Sequence, residues 1–130
     1  RTLVQAGRAS LSENGEAEAE ATVKLRTRDG RKVVTGEGNG PVNALDHALR
    51  QALSQTYPAI TDFELIDYKV RILDTTFGTD ATVRVLITTT NGEVQWTTVG
   101  VGEDVIEASW EALVESVTWG LMHLGVRPKV

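Results

Sequence analysis

An internal repeat limits the folds that this sequence can adopt. ATVKL at residues 21–25 matches ATVRV at residues 81–85, and Gly36-Glu37-Gly38 matches Gly100-Val101-Gly102. Two residues inserted into the second hairpin are expected to explain why strand and loop are spaced differently in the two halves. The chain therefore predicts two copies of one structural unit. Further aligned positions are Val42 with Ile106, Ala44 with Ala108, Ala48 with Ala112 and Leu49 with Leu113.

Alternating apolar and polar residues predict three strands in each half. Ala19, Ala21, Val23 and Leu25 alternate with polar side chains, which is typical of a half-buried strand. In the second half, Val83, Val85 and Ile87 alternate in this way, as do Ile66, Tyr68, Val70 and Ile72 before them. Asn-Gly or Asp-Gly pairs predict hairpin turns at residues 14–15, 29–30 and 91–92, because they tolerate positive φ. The predicted strands are residues 2–11, 17–28 and 31–37, then 63–73, 81–90 and 93–101.

Each half ends in a predicted amphipathic helix, over residues 41–56 and 104–124. Polar residues such as Asp46 are placed off the apolar face of the first helix. The predicted fold class is α+β, with duplicated βββα units, an antiparallel sheet with helices on one side and pseudo-two-fold symmetry. Residues 1–130 form one predicted domain of two repeats, about 1–58 and 62–124. The apolar faces are Val42, Leu45, Ala48, Leu49, Ala52 and Leu53, then Ile106, Trp110, Leu113, Val117, Leu121 and Leu124.

The composition excludes several classes of partner. A net charge of −5 disfavours nucleic acid, since binding to phosphates depends on lysine and arginine. No apolar run approaches the roughly 20 residues of a membrane-spanning helix, so we expect no membrane partner. The absence of cysteine is compatible with a cytoplasmic protein. Because the chain begins with Arg1 rather than methionine, we expect it to be part of a longer protein.

The search for catalytic residues gives a negative result. His47 and His123 are the two histidines, and neither belongs to a pattern of metal ligands. No nucleophile motif is present. We therefore expect no catalytic residues, metal site or cofactor in this chain, and no independent enzymatic activity.

Two local features could bind a ligand. The loop at residues 36–41 lacks the lysine of a phosphate-binding loop, but its glycines and the helix N-terminus behind it suit a carboxylate. The alternative is that the glycines only make a tight strand-to-helix connection. Asp67 and Tyr68 could offer a carboxylate to an ammonium group and a ring to an apolar side chain. Alternatively, Tyr68 belongs to the core and Asp67 is solvated.

The quoted motifs resemble a known family. GEGNGPVNALDHAL, DYKVRILD, NGEVQWTTVGV and IEASWEALVESV are similar to the C-terminal regulatory domain of isopropylmalate and citramalate synthases. The resemblance implies a homodimer that binds an end-product amino acid near the dimer interface. It also implies inhibition of a separate TIM-barrel catalytic domain, an acyltransferase that joins acetyl-CoA to a 2-oxo acid.

The resemblance also implies where the effector binds. Loop and helix-start N–H groups are assigned to its carboxylate, Asp67 to its ammonium group, and Tyr68, Val42 and Ile106 to its side chain. The stretch WTTVGVGEDVIEASWEALVESV resembles the citramalate type and favours isoleucine over leucine. The implied site residues are Gly38, Asn39, Gly40, Pro41, Val42, Asp67, Tyr68, Gly100, Val101, Gly102, Ile106, Ala108 and Ser109.

Three alternatives to an isoleucine sensor remain open at this point. These are a leucine sensor, a dimerisation module without ligand, and a small independent enzyme. Glu103 and Asp104 at the start of the second helix would repel a carboxylate, so we also expect the two repeats to bind unequally, or only one of them to bind.

Overall fold

The computed structural model describes residues 6–13, 19–27, 30–54, 57–73 and 82–123. It contains two βββα units, which confirms the predicted α+β class. The strands are divided between two three-stranded antiparallel sheets, one in each repeat. The first unit contains β1 (Ala6–Glu13), β2 (Ala19–Thr27), β3 (Gly30–Gly38) and α1 (Pro41–Leu53). The second contains β4 (Glu64–Leu73), β5 (Thr82–Thr90), β6 (Gln95–Gly102) and α2 (Val105–His123).

The segment between the repeats is more ordered than the sequence predicts. The first helix ends at Leu53 rather than at residue 56. Pro58–Asp62 then forms a 3₁₀ helix, with Tyr57 and Ile60 buried in the core. Of the predicted turns, residues 14–15 and Asp29 lie outside the described part, while Gly30 and Gly92 have φ angles of 107° and 97°. Both glycines use the positive φ that was expected of them. The turns are shifted, however, because Gly30 already pairs with Thr27, and Gly92 lies in a longer loop between Thr90 and Gln95.

The strand pairing corrects the alignment of the two repeats. Ala21 pairs with Gly36, and Val85 pairs with Gly100. Strand and loop therefore share one offset of 64 positions, and no insertion separates them. The match of ATVKL to ATVRV was out of register, because small and β-branched residues alternate similarly in all these strands.

Glycines allow each helix to approach its sheet closely. A Cβ atom added at Gly36 would lie 2.5 Å from Ala48 N and 2.9 Å from Ala44 O. At Gly100 it would lie 2.6 Å from Ala112 N and would overlap the carbonyl oxygen of Ala108. The obstructing atoms belong to the helix backbone, so rotation of a side chain cannot relieve the contact. This close approach is common to both repeats.

The close contacts between helix and sheet determine which side chains form the hydrophobic core. All six predicted apolar residues of α1 are buried. On α2, Leu113, Val117 and Leu121 are buried, Ile106 and Trp110 are half-buried, and small residues fill the gaps against the sheet. One cluster of buried side chains includes residues of both repeats. The small buried residues of α2 are Ala108, Ser109, Ala112, Ser116 and Gly120.

Asp46 was placed off the apolar face of α1, and the structure nevertheless buries it. Its carboxylate accepts a hydrogen bond from Arg50 Nε at 3.0 Å, and Arg50 Nη1 also donates to the carbonyl oxygen of Phe63. Phe63 directly precedes β4. The pair therefore compensates the buried charge and holds the start of β4 beside α1.

β4 also differs from the prediction of a half-buried strand. It pairs with β5 on one side only, and a bulge lies between Leu65 and Asp67. Ile66, Tyr68, Val70 and Ile72 are exposed to between 36% and 64%. Alternation predicts which face of a strand is apolar, but α2 does not cover this edge of the sheet.

Replacing Gly100 by alanine is expected to destabilise the fold, because its methyl group would overlap the α2 backbone. We expect a loss of about 1–3 kcal/mol in the free energy of unfolding, typical of overpacking, and a similar loss for Gly36→Ala. Urea denaturation followed by circular dichroism measures both. Gly40→Ala is the control: its Cβ meets nothing within 4 Å, and a change at this N-cap costs about 1 kcal/mol or less. Equal stability of all three variants would contradict the packing role.

Candidate functional site

The start of α1 and the start of β4 enclose a cavity of 320 Å³. Gly40, Val42, Asp67 and Tyr68 were among the residues predicted to bind the effector, and the structure brings all four together here. The volume is at the small end of the ~300–1,000 Å³ range of ligand sites, which fits a small metabolite. The remaining lining residues are Asn43, Leu65 and Ile66.

The N-terminus of α1 has no cap from its own side chains. Gly40 is the N-cap, Pro41 occupies the first turn, and no acidic residue lies in that turn. The first intrahelical bond runs from Ala44 N to Gly40 O at 3.0 Å. The N–H groups of Val42 and Asn43 therefore precede the helical hydrogen-bond ladder. Together with the positive end of the helix dipole, they make this end suitable for a carboxylate.

The N-terminus of α2 is capped by its own acidic residues. Asp104 Oδ1 accepts a hydrogen bond from Glu107 N at 2.8 Å. Glu107 Oε2 in turn accepts one from Glu103 N at 3.4 Å. The first bond is a side-chain N-cap, whereas the second reaches the N–H of the residue before the cap. The two carboxylates occupy the place that an external anion would take, so the two repeats differ at the position that their sequences make equivalent.

Asp67 supplies negative charge at the cavity. Its Oδ1 accepts a hydrogen bond from Tyr68 N at 2.9 Å, and its Oδ2 lies 4.0 Å from Lys69 Nζ. Both side chains of this ion pair are largely exposed, so water and salt screen it. The carboxylate is therefore available for a hydrogen bond to an ammonium group.

Tyr68 on β4 lines the cavity from the side of the second repeat. It is 36% exposed, so the alternative assignment of this residue to the core is wrong. Burial raises the pKa of the Tyr68 phenol above 10.0, and the neighbouring Ser109 side chain partly lowers it. Ser109 is fully buried on α2. The side chain of Tyr68, a residue of the second repeat, thus forms one wall of the cavity, and α1 forms the other.

Gly38 and Asn39 face a neighbouring cavity of 410 Å³. Glu37, Asn43 and His47 complete its lining, and His47 Nδ1 lies 2.6 Å from Glu37 O. A Cβ at Gly38 would lie 2.7 Å from Ala44 N, so this glycine is also required for packing. For Gly38, the steric alternative therefore has direct support.

The ligand contacts predicted on β6 and at the start of α2 are dispersed. Gly100 and Gly102 pack beneath α2, where added Cβ atoms would meet the backbone of Ala108. Ile106 is half-buried. Val101 instead lines a separate 650 Å³ cleft on the open face of the second sheet, with Arg71 and Arg84. None of these residues lines the cavity at α1.

Sequence reasoning missed Asn43, Leu65 and Ile66. Asn43 follows Val42 in the first helical turn and could have been included on position alone. Leu65 and Ile66 are adjacent apolar residues that interrupt the alternation of β4. Such an interruption is a signal for a bulge, and the structure has one at this position.

Two further features bear on the function. Within the described residues, no three His, Cys, Asp or Glu side chains are grouped so that they could hold a metal ion. None of the described helices combines the length and the apolar composition needed to cross a membrane.

Comparison with known proteins identifies the family. The model of the LeuA allosteric (dimerisation) domain matches residues 3–120. The chain belongs to this family. The resemblance inferred from the glycine-loop and helix motifs is therefore confirmed, and the LeuA domain is the regulatory part of citramalate and isopropylmalate synthases.

Individual relatives of this LeuA domain carry two related names. The chain is 54% identical over 115 residues to an (R)-citramalate synthase from Streptomyces coelicolor, covering 88% of this chain and 22% of that protein. It is 53% identical over 104 residues to an (R)-citramalate synthase from Synechocystis, covering 80% and 19%. A 2-isopropylmalate synthase from Thermus thermophilus is 36% identical over 96 residues, covering 74% and 27%. The chain thus spans about a fifth of the two citramalate synthases.

Proposed function

We propose that this LeuA domain binds a branched-chain amino acid, with isoleucine favoured, and thereby gives feedback inhibition of a citramalate synthase-type acyltransferase. The observation that carries the proposal is the cavity at the start of α1. It combines an uncapped helix N-terminus, a carboxylate and apolar walls. These are the three environments that the carboxylate, the ammonium group and the side chain of such an amino acid require.

The two charged groups of the amino acid decide its orientation in the cavity. Its carboxylate accepts hydrogen bonds from the N–H groups of Val42 and Asn43, where the helix dipole also favours negative charge. Its ammonium group donates to Asp67. The aliphatic side chain then lies against Leu65, Ile66 and Tyr68, whose burial on binding contributes through the hydrophobic effect.

The preference for isoleucine rests on sequence similarity to citramalate synthases. Isoleucine and leucine differ in the position of one methyl group, a change that an apolar pocket discriminates by about 1–3 kcal/mol. A leucine sensor of the 2-isopropylmalate synthase type is the alternative ligand specificity, and it uses the same cavity.

We also propose that the chain forms a homodimer through β4. Tyr68, Val70 and Ile72 share one face of this edge strand, because their partners on β5 are the buried residues Ile87, Val85 and Val83. An exposed apolar row on an edge strand is typical of an interaction surface. The row begins at Tyr68, so the proposed dimer surface adjoins the proposed effector site.

The catalytic reaction belongs to the rest of the parent chain in this proposal. A TIM-barrel domain outside these residues condenses acetyl-CoA with a 2-oxo acid, and the regulatory domain changes its activity when the effector binds. Allostery of this kind requires that the effector favours one of two states of the whole enzyme. The contact of the cavity with the proposed dimer surface supplies a route for that coupling.

Titration calorimetry tests ligand binding directly. We expect isoleucine to bind the chain more tightly than leucine or valine, and to raise its melting temperature. No heat and no thermal shift with any of the three amino acids at millimolar concentration would favour a dimerisation module without ligand. Tighter binding of leucine would reverse the specificity while retaining the site.

Gly40→Asp is expected to separate binding from folding. The new carboxylate would cap α1 as Asp104 caps α2, and an added Cβ meets no described atom within 4 Å. The free energy of unfolding should be unchanged or rise by up to about 1 kcal/mol. Isoleucine affinity in calorimetry should fall about tenfold or more, because the helix N–H groups are occupied and the charge repels the ligand. Gly40→Ala, without the charge, is the control, and equal affinities of the two variants would argue against carboxylate binding at α1.

Ile72→Asp tests the dimer surface. Ile72 is 64% exposed, so the change should leave the fold intact while placing a charge in the proposed interface. We expect the dimer dissociation constant, measured by analytical ultracentrifugation, to rise about tenfold or more. Val33→Asp is the matched control, because Val33 is 54% exposed on the other sheet. A dimer weakened only by the Val33 change would place the interface elsewhere.

A further inference from the structure

The second sheet carries a cleft that the proposed effector site does not use. Its volume of 650 Å³ falls within the ~300–1,000 Å³ range of small-molecule sites. None of its lining residues lines the 320 Å³ cavity at α1. We call it the basic cleft, and its lining residues are Lys69, Val70, Arg71, Arg84, Leu86, Val99 and Val101.

The basic cleft lies on the face of the sheet that α2 does not cover. Arg84 and Leu86 alternate on β5 with buried residues, so their side chains point to the opposite face. The open face of an antiparallel sheet in water is ordinarily polar. Here Leu86 is only half-buried, and Val99 and Val101 of β6, which pair with residues of this face, are 44% and 42% exposed. These apolar side chains form one half of the cleft.

The other half of the basic cleft carries three positive charges. Arg71 on β4 directly opposes Arg84 on β5, and Lys69 lies two positions from Arg71 on the same face. Directly opposed side chains have Cβ atoms about 4.5–5.5 Å apart, so two like charges here destabilise the sheet. Within the described residues, Lys69 has an exposed ion pair with Asp67, 4.0 Å long, whereas no carboxylate lies within ion-pair distance of either arginine. An anion bound between the arginines would offset their repulsion.

The first repeat does not share this arrangement of charges. The offset of 64 positions between the repeats places Glu20 at the position of Arg84, and Glu37 at the position of Val101. Both glutamates are exposed, and they oppose each other across β2 and β3. The positive charge of the basic cleft is therefore a property of the second repeat and does not follow from the shared βββα plan.

We propose that the basic cleft binds a small molecule in which a diphosphate is joined to an apolar or aromatic group. The guanidinium groups of Arg71 and Arg84 donate hydrogen bonds to phosphate oxygens, and Lys69 adds a third positive charge. The organic group of the ligand lies against Leu86 and Val99. A diphosphate carries several negative charges, which suits a group of three cations, whereas the net charge of −5 on the chain disfavours a longer polyanion.

The proposed ligand and the proposed dimer use opposite faces of β4. Lys69 and Arg71 alternate with Val70 and Ile72, so a dimer formed through the exposed apolar row leaves both cations accessible. Val70, at the edge of the sheet, is the residue that the two surfaces share. Binding in the basic cleft therefore requires neither the effector cavity nor the dimer.

Titration calorimetry with ADP, inorganic pyrophosphate and adenosine tests the proposal. We expect ADP to bind more tightly than pyrophosphate, because its organic group adds contacts with the apolar half, and adenosine to bind least. Affinity for both anions should fall as the salt concentration rises. No heat with ADP or pyrophosphate at millimolar concentration would overturn the proposal. Adenosine binding as tight as that of ADP would overturn the role of the cations.

Arg84→Gln removes one guanidinium group from the basic cleft. We expect ADP affinity to fall about tenfold, because charge-assisted hydrogen bonds are lost. The urea midpoint of unfolding should stay the same or rise, since a pair of opposed like charges is removed. Arg26→Gln is the matched control, because Arg26 is exposed and directly opposes Arg31 on the open face of the first sheet. Equal losses of affinity in the two variants would show that any arginine pair suffices, and would overturn the assignment to the basic cleft.

Val99→Thr tests the apolar half of the basic cleft. Val99 is exposed, and threonine is close to valine in shape and favours strands, so the fold should be retained. We expect ADP affinity to fall about twofold to threefold, since apolar contact is lost, and pyrophosphate affinity to be unchanged. Unchanged ADP affinity would refute the contribution of the apolar half, and so would an equal loss for both anions. None of these measurements requires that the chain bind isoleucine, so their outcome is separate from that of the proposed effector function.

Discussion

The close contact between each helix and the third strand of its sheet is the constraint on which the rest of the structure depends. Gly36 and Gly100 leave no space for a side chain, and the atoms that face them are helix backbone. This contact fixes where each helix begins relative to its strand. The loop from β3 to α1 is short for the same reason, so the N-terminus of α1 is held beside β4 and the cavity between them forms.

The two repeats share this architecture but differ in electrostatics. Gly40 leaves the N-terminus of α1 open, whereas Asp104 and Glu107 cap the N-terminus of α2. Carboxylates that stabilise a helix dipole also exclude an external anion from the same place. A duplicated fold has thus kept its packing glycines in both copies, while only the first copy retains an N-terminus suited to a carboxylate.

Sequence reasoning was most reliable where a residue's role depends on its neighbours along the chain. The α1 apolar face follows from helical spacing. Gly40, Val42 and the pair Asp67-Tyr68, which the family resemblance had grouped, line one cavity. The errors concern contacts between distant segments. The repeat register depends on which strands pair, and the burial of Asp46 depends on its ion pair with Arg50. The exposure of Tyr68 depends on how far α2 extends over the sheet. The periodicity of the sequence carries no information about such contacts between distant segments.

The sequence by itself determined the duplicated βββα plan and the family, because these depend on local spacing and on residue identity. Only the tertiary structure decided that the predicted contacts on β6 and at the start of α2 do not line the cavity at α1. The physical reason is that strand alternation assigns a side chain to one face of a sheet, whereas its contacts depend on the helix or edge that covers that face.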